Sequence, residues 1–570
     1  MLTQELAAFD THGARQKVIA QANGYLVLDV TWPLTGVENL ELHIGFSPFH
    51  PFARPLVSAP NATFERHQHP FSKVLCLLTQ ESRQWYSRQL VADFIAERLE
   101  RLREALGARA ASNMERAAEF EEHAADTLVA YFGDGNEKAS VVLFDGAMSL
   151  PVGDFGILEL QYTPRAQGEG APFEALLTSV RTASGGGFAK TFGLPSDRGN
   201  PATLPGRWVK VDKPPLTNDP AQLLQFAEAK VGEITQAQRN RLADYRAVEN
   251  NTMYLTGIVF PDEVTYGASG ASWLFVVGRR KFDGVGKPLG APRFSTVLGQ
   301  RAGEADFFAR FPVGKALRRK RVLLVGCGAI GSFAAAELAR SGVGEITLVD
   351  GDLLEPGNSV RWLLGRTAWG WPKAEALAGF LQREFPFTKV NFVFNRIGEA
   401  TIDAKAAKSG ANQLAFFWRE ASQADIVVDC SASTEVQHAL AWLCSELKKP
   451  FVMGYATEGA VGGVVARFGT DPVTEWSSLQ DAWDQGTMPS PLVDPGQTVT
   501  PVGCNQPTFV GGSFDLEEVS LAVARGVVGT LCPDDYPLSK WTISQLRLRN
   551  DEGERIPPSW ALFSNPGQLI

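Results

Sequence analysis

The chain has no Cys-x-x-Cys pair. Its six cysteines, Cys76, Cys327, Cys430, Cys444, Cys504 and Cys532, are scattered over 570 residues. That spacing makes neither a zinc cage nor a disulfide framework, so a chemically special cysteine here acts as a thiol in a reducing compartment. No apolar run approaches the ~20 residues of a membrane span, and the N-terminus MLTQELAAFD carries no secretory pattern. An excess of basic residues is missing too. Lys and Arg number 54 against 63 Asp and Glu, a net charge of −9, which argues against nucleic acid as the main partner. The absences point to a cytoplasmic protein that takes neither membrane nor nucleic acid as a partner.

What is present is globular: 44% hydrophobic and 21% charged residues, in a chain too long for a single core. The most informative stretch is Lys320 to Asp352, KRVLLVGCGAIGSFAAAELARSGVGEITLVDGD. Val322–Val325 reads as a strand, Gly326, Gly328 and Gly331 as a turn, Ser332–Arg340 as a helix, and Ile346–Val349 as a second strand delivering Asp350. Gly326 allows the tight turn, Gly328 lets backbone N–H groups approach a phosphate, and Gly331 lets helix and strand pack closely. The helix N-terminus offers unpaired N–H groups to an anion. Asp350 follows the last glycine by 350 − 331 = 19 residues, where an acid can grip ribose hydroxyls. A Rossmann-like nucleotide site is expected here.

Upstream, alternating apolar positions predict strands at Tyr25–Trp32 and Leu40–Phe46, and apolar spacing predicts a helix over Gln89–Leu106. Between them lie Pro48, Pro51, Pro55 and Pro60, then ERHQHPFSKVLCLL over residues 65–78, which carries Cys76. Residues 115–300 show strands at 139–144, 156–162, 254–260 and 272–277, helix at 221–247, and Gly/Pro-rich loops at 183–206 and 283–293. No catalytic signature is visible there. Three segments are expected: 1–115, an α+β linking domain 116–304, and 305–570.

The continuation past Asp350, DGDLLEPGNSVRWLLG then WPKAEALAGFLQREFP, resembles the ThiF, MoeB and ubiquitin-activating superfamily, whose members adenylate the C-terminal carboxylate of ubiquitin-like proteins. The resemblance implies an α/β adenylation domain that uses ATP and Mg²⁺. It implies Asp350 for the ribose and Asp352 as the next acid. It also implies Asn358 and Arg361 (N-x-x-R) and Lys373 for phosphates, and Arg310 reaching the partner's site in a homodimer. Charge builds on phosphoryl oxygens in such a reaction, and Arg, Lys and Mg²⁺ neutralise it. In DIVVDCSAS, residues 425–433, Asp429 matches the first aspartate of the family's metal-binding element. The second is Ala432, which leaves Asp429 as the expected metal ligand, with Asp352 as a substitute.

The N-terminal order resembles ubiquitin-conjugating enzymes, with His69-Pro70 and Leu75-Cys76-Leu77 as the matching residues. The resemblance implies that Cys76 carries a thioester. The usual asparagine after His-Pro is Phe71 here, the spacing to the cysteine is shorter, and His67 is a candidate for a polar role instead. Cys504, in the polar stretch TPVGCNQPTFVGGSF, is expected to be the activating thiol, with Cys532 in TLCPDDYP as its rival. The layout resembles bacterial conjugating–activating fusions of CBASS antiphage operons. These join the C-terminus of a cGAS-like nucleotidyltransferase to target amines. Two alternatives stay open: activation of a ubiquitin-like or sulfur-carrier protein, and a non-catalytic nucleotide-binding scaffold.

Overall fold

A computed structural model describes residues 2–33, 39–64, 67–69, 71–77, 85–113, 115–117, 140–150, 155–164, 173–182, 189–190, 202–217, 219–231, 247–248, 251–265, 268–281, 287, 289–398, 412–494, 496, 498–499, 508–565 and 568–569. One compact unit ends at Gly303 and a second begins at Glu304.

The first unit opens with helix α1 (Leu2–Thr11) and a four-stranded antiparallel meander: β1 (Arg15–Ala22), β2 (Tyr25–Trp32), β3 (Leu40–Phe46) and β4 (Leu56–Ser58). Helix α2 (Val91–Ala110) follows. The period-2 pattern read in the sequence puts Leu28 and Val30 of β2, and Leu42 and Ile44 of β3, on one buried face, packed with Phe9 and with Phe94 and Ile95 of α2. Each fully buried side chain of that size contributes roughly 1.5–3 kcal/mol. Glu5 joins the pieces: one carboxylate oxygen meets His50 Nε2 at 2.9 Å, and the other accepts the N–H of Val91 at 2.9 Å.

The rest of this unit is a second sheet: β5 (Val141–Phe144), β6 (Phe155–Pro164), β7 (Phe173–Thr182), β8 (Ala189–Lys190), β9 (Ala202–Lys210), β10 (Ala247–Val248), β11 (Asn251–Thr265), β12 (Ala268–Lys281) and β13 (Arg293–Arg301). Seven of these strands form a ring, β11-β12-β13-β5-β7-β6-β9, closed by the pairing of β9 with β11. Alternate residues fill it. Trp273, Phe275, Leu255 and Val259 belong to the inner core, while Leu274, Val276, Ile258 and Phe260 pack against helix α3 (Pro220–Val231). The segment is thus richer in strand than its sequence suggests. β9 occupies part of the expected loop 183–206, with Pro205 opposite Glu159 of β6 and short of the residues that pair with β11. Of the expected helix 221–247 the structure describes α3, and Ala247–Val248 is a strand.

The second unit is built on β14 (Arg321–Val325), α4 (Ala329–Arg340), β15 (Glu345–Asp350), α5 (Lys373–Glu384), β16 (Lys389–Phe394), α6 (Gln413–Gln423), β17 (Ile426–Asp429), α7 (Thr434–Leu447), β18 (Phe451–Ala456), β19 (Gly462–Phe468), α8 (Pro472–Asp484), the pair β20 (Thr498–Val499) and β21 (Thr508–Phe509), α9 (Ser513–Leu531), β22 (Ile543–Arg549), β23 (Arg555–Asn565) and β24 (Gln568–Leu569). The sheet order is β16-β15-β14-β17-β18-β19-β22-β23-β24, parallel from β16 to β18 and antiparallel beyond. Strands buried on both faces read as continuous apolar runs, as Val322–Val325 and Ile426–Val428 do. The strand order reverses at β14, between β15 and β17. In open α/β sheets that switch point is where a ligand binds, at the carboxyl ends of the strands.

Candidate nucleotide-binding site and the cysteines

The glycine turn lies at this switch point. Gly326 has φ +87°, and a Cβ there would stand 2.5 Å from the Ser431 nitrogen. A Cβ on Gly331 would stand 1.8 Å from the carbonyl oxygen of Gly326. A Cβ on Gly328, the residue that caps α4, would meet nothing within 4 Å. Two glycines are therefore needed for packing, and the third faces open space at a helix N-terminus where an anion can approach.

Asp350 holds this turn in place. Its Oδ2 accepts the N–H of Cys327 at 2.7 Å, and its Oδ1 accepts the N–H of Asp352 at 2.8 Å. Burial raises the Asp350 carboxyl above its ordinary pKa, against the pull of Lys373 and of both N–H donors. Asp352 takes Lys373 Nζ at 3.0 Å and Arg396 Nη2 at 2.6 Å, one on each oxygen. Burial alone would raise its pKa, yet Lys373 and Arg396 hold it below the usual value. Lys373 is the first residue of α5 and its N–H donates to the Asp352 carbonyl at 2.9 Å, so backbone and side chain fix it together.

Asn358 turns inward on its own segment. Its side chain accepts the Glu355 N–H at 3.3 Å in a reciprocal cap on the helical turn Pro356–Val360. That turn ends at Arg361, a half-buried guanidinium whose pKa burial lowers. The next residue, Trp362, is 4% exposed and donates its indole N–H to the Cys327 carbonyl at 2.6 Å. Neither Trp362 nor Arg396 stood out in the sequence, although Trp362 adjoins an expected site arginine. Arg310 closes a short helical turn, Phe308–Arg310, and is exposed.

Asp429 ends β17 and is 0% exposed. Its Oδ1 accepts the Ser431 N–H at 3.1 Å, its Oδ2 is buried without a hydrogen-bond partner, and burial pushes its pKa up to about 7. Ala432 is exposed, with φ +56°. A fully enclosed carboxyl with no second acid beside it among the described residues does not fit a cation held by the protein. Among the described residues there is no group of three or more His, Cys, Asp or Glu able to hold a metal.

In the first unit Cys76 is half-buried, and its N–H donates to the His67 carbonyl at 2.7 Å. His67 is 7% exposed with φ +60°. His69 Nδ1 accepts the N–H groups of Phe71 and Ser72 at 3.2 and 3.1 Å. Pro70 and Cys504 lie outside the described residues. The remaining thiols are enclosed. Cys327 and Cys444 are 0% exposed, Cys430 and Cys532 are 6% and 4% exposed, and burial raises the pKa of all four, that of Cys444 to about 12. Such thiols are poor nucleophiles, and Cys532 is among them.

A sequence model of the ThiF family matches residues 304–499. Uncharacterized protein y4oA of Sinorhizobium fredii (strain NBRC 101917 / NGR234) is 42% identical over 564 residues, covering 98% of this chain and 94% of that protein. The chain belongs to the y4oA family. Uncharacterized protein y4qC of the same strain is 29% identical over 562 residues, covering 95% of this chain and 91% of that protein. At the level of a part, the y4oA-family chain is similar to ATP-dependent ubiquitin transferase-like protein Cap2 of Enterobacter hormaechei subsp. hoffmannii (strain UCI 50). That identity is 28% over 205 residues, 35% of this chain and 31% of that protein. The family match and the sheet order make the second unit of this y4oA-family chain a ThiF-type, Rossmann-like α/β adenylation domain.

Proposed function

We propose that this chain adenylates the C-terminus of a protein with ATP, captures it as a thioester, and passes it through a second cysteine to an amine. The observation that carries the reading is the glycine turn at the switch point, with Gly328 open to an approaching anion, Asp350 bonded to the turn, Trp362, the neighbour of Arg361, bonded to the Cys327 carbonyl, and Lys373 paired with Asp352. A C-terminal carboxylate oxygen attacks the α-phosphorus of ATP, and pyrophosphate leaves. Asp350 keeps the turn shaped, while Arg361 and Lys373 meet the phosphoryl charge. The Cys504 thiolate then attacks the acyl carbon and AMP leaves; the Cys76 thiolate displaces Cys504; finally an amine nitrogen displaces Cys76 to leave an amide.

ATP enters with Mg²⁺ as its counter-ion. The protein works as a homodimer in which Arg310 reaches the other copy's triphosphate. The similarity to Cap2 supports a protein substrate, either a ubiquitin-like protein or the C-terminus of a cGAS-like nucleotidyltransferase in antiphage defence. Pyrophosphate exchange and non-reducing gels test the sequence of steps. Cys504→Ser should retain exchange and lose the first thioester. Cys76→Ser should retain exchange and the Cys504 thioester but stop transfer. Normal conjugation by Cys76→Ser would reduce the first unit to a docking module. Loss of the first thioester in Cys532→Ser, but not in Cys504→Ser, would move the activating thiol.

A further inference from the structure

The acids around the glycine turn can be accounted for one by one. Both oxygens of Asp350 accept backbone N–H groups, from Cys327 at 2.7 Å and Asp352 at 2.8 Å. Both oxygens of Asp352 are taken by cations, Lys373 at 3.0 Å and Arg396 at 2.6 Å. Asp429 is 0% exposed, with one oxygen on the Ser431 N–H and the other enclosed. The exposed position three residues on in the same loop, whose Ser431 packs against Gly326, is Ala432.

Position 432 is informative in itself. Its φ of +56° is a left-handed conformation that aspartate and asparagine enter more readily than alanine does. The loop therefore keeps a backbone suited to an acid while lacking the carboxylate. Magnesium is a hard cation that proteins hold through one or two carboxylates together with substrate phosphates and water. Here the cations at the site are the half-buried Arg361, the largely buried Lys373 and the exposed Arg396, and the last two occupy the oxygens of Asp352, the one half-exposed acid of the three.

We propose that this site binds its nucleotide through cationic side chains and backbone N–H groups, with no metal ion ligated by the protein. Magnesium arrives and departs on the nucleotide's own phosphates, and affinity is indifferent to it. The inference rests on the nucleotide reading above and concerns the same site.

Calorimetric titration of the full chain with ATP, in the absence of any carrier protein, tests it. Dissociation constants in excess Mg²⁺ and in excess EDTA should agree within about threefold; ATP binding at least tenfold tighter with Mg²⁺ overturns the proposal. Mn²⁺ added to the nucleotide-free chain should keep its full free-ion paramagnetic resonance signal, and loss of that signal to a bound form overturns it. Ala432→Asp supplies the missing carboxylate at an exposed, backbone-compatible position. The variant should acquire at least tenfold tighter ATP binding with Mg²⁺ than with EDTA, and an unchanged ratio overturns the proposal. If ATP binds in neither buffer, the nucleotide reading itself fails along with the inference.

Discussion

The indole N–H of Trp362 and the carbonyl of Cys327 meet at 2.6 Å in a buried contact, 35 residues apart in the chain. The bond ties the segment that carries Arg361 to the glycine turn, so the turn is held by Asp350 on one side and by Trp362 on the other.

Trp362→Phe keeps an aromatic ring but leaves the Cys327 carbonyl without its donor. An unsatisfied buried acceptor costs about 1–3 kcal/mol. Chemical denaturation should show a loss of that size, and ATP affinity should fall with it. Unchanged stability together with unchanged affinity would remove Trp362 from the site.

Gly328→Ala and Gly331→Ala should fail in different ways. The first adds a methyl into open space at φ −77°, so the fold survives while the methyl occupies the path of an approaching phosphate. The second places a methyl 1.8 Å from the Gly326 oxygen and should lower the yield of folded protein or the melting temperature severely. A circular-dichroism melt paired with ATP titration distinguishes them. A well-folded Gly331→Ala that binds ATP normally would contradict the packing.

Lys373→Met leaves Asp352 with Arg396 alone. The depressed Asp352 carboxyl contributes stability above the ordinary aspartate value of about 3.9, and that contribution is lost as pH falls through its folded pKa. Because Asp352 is nearly half exposed, solvent screening keeps the term under about 1 kcal/mol. The variant should lose stability at a slightly higher pH on acidification, and pyrophosphate exchange should fall at least tenfold. Wild-type exchange would exclude Lys373 from the chemistry.

Asp429 titrates in the opposite sense. Its folded pKa, about 7, lies above the unfolded value of about 3.9, so the fold binds the proton more tightly. This contribution to stability is complete below pH ~4, is lost as pH rises toward 7, and is constant above. Asp429→Asn should flatten that part of the stability–pH curve. An identical slope in wild type and variant between pH 4 and 7 would assign the proton elsewhere.

Much of the second unit was legible because local signals agree there: a short apolar run, glycines at fixed offsets, and an alanine-rich helix whose small residues pack closely under α9. β2 and β3 were legible from their alternation. The ring of strands was not, since its closure depends on β9 meeting β11, a pairing that no local pattern announces and that Pro205 and Gly206 disguise. Trp362 was hidden because an indole in an apolar sequence context reads as core; its polar function exists only once the glycine turn stands opposite. Asp429 drew notice by its place in a motif, and only three-dimensional burial shows that its carboxyl is enclosed.

The ring also sets a timetable for the ribosome. Val141 of β5 pairs with Leu298 of β13, a separation of 298 − 141 = 157 residues. At roughly 5–20 residues per second, β5 emerges roughly 8–30 s before its partner strand exists. Through that interval Val142 and Phe144, both destined for the inner core, sit on a strand lacking one of its two neighbours. Nascent chains stalled before Arg293 should therefore be protease-sensitive across β5 to β7, whereas chains stalled well past Arg301 should not.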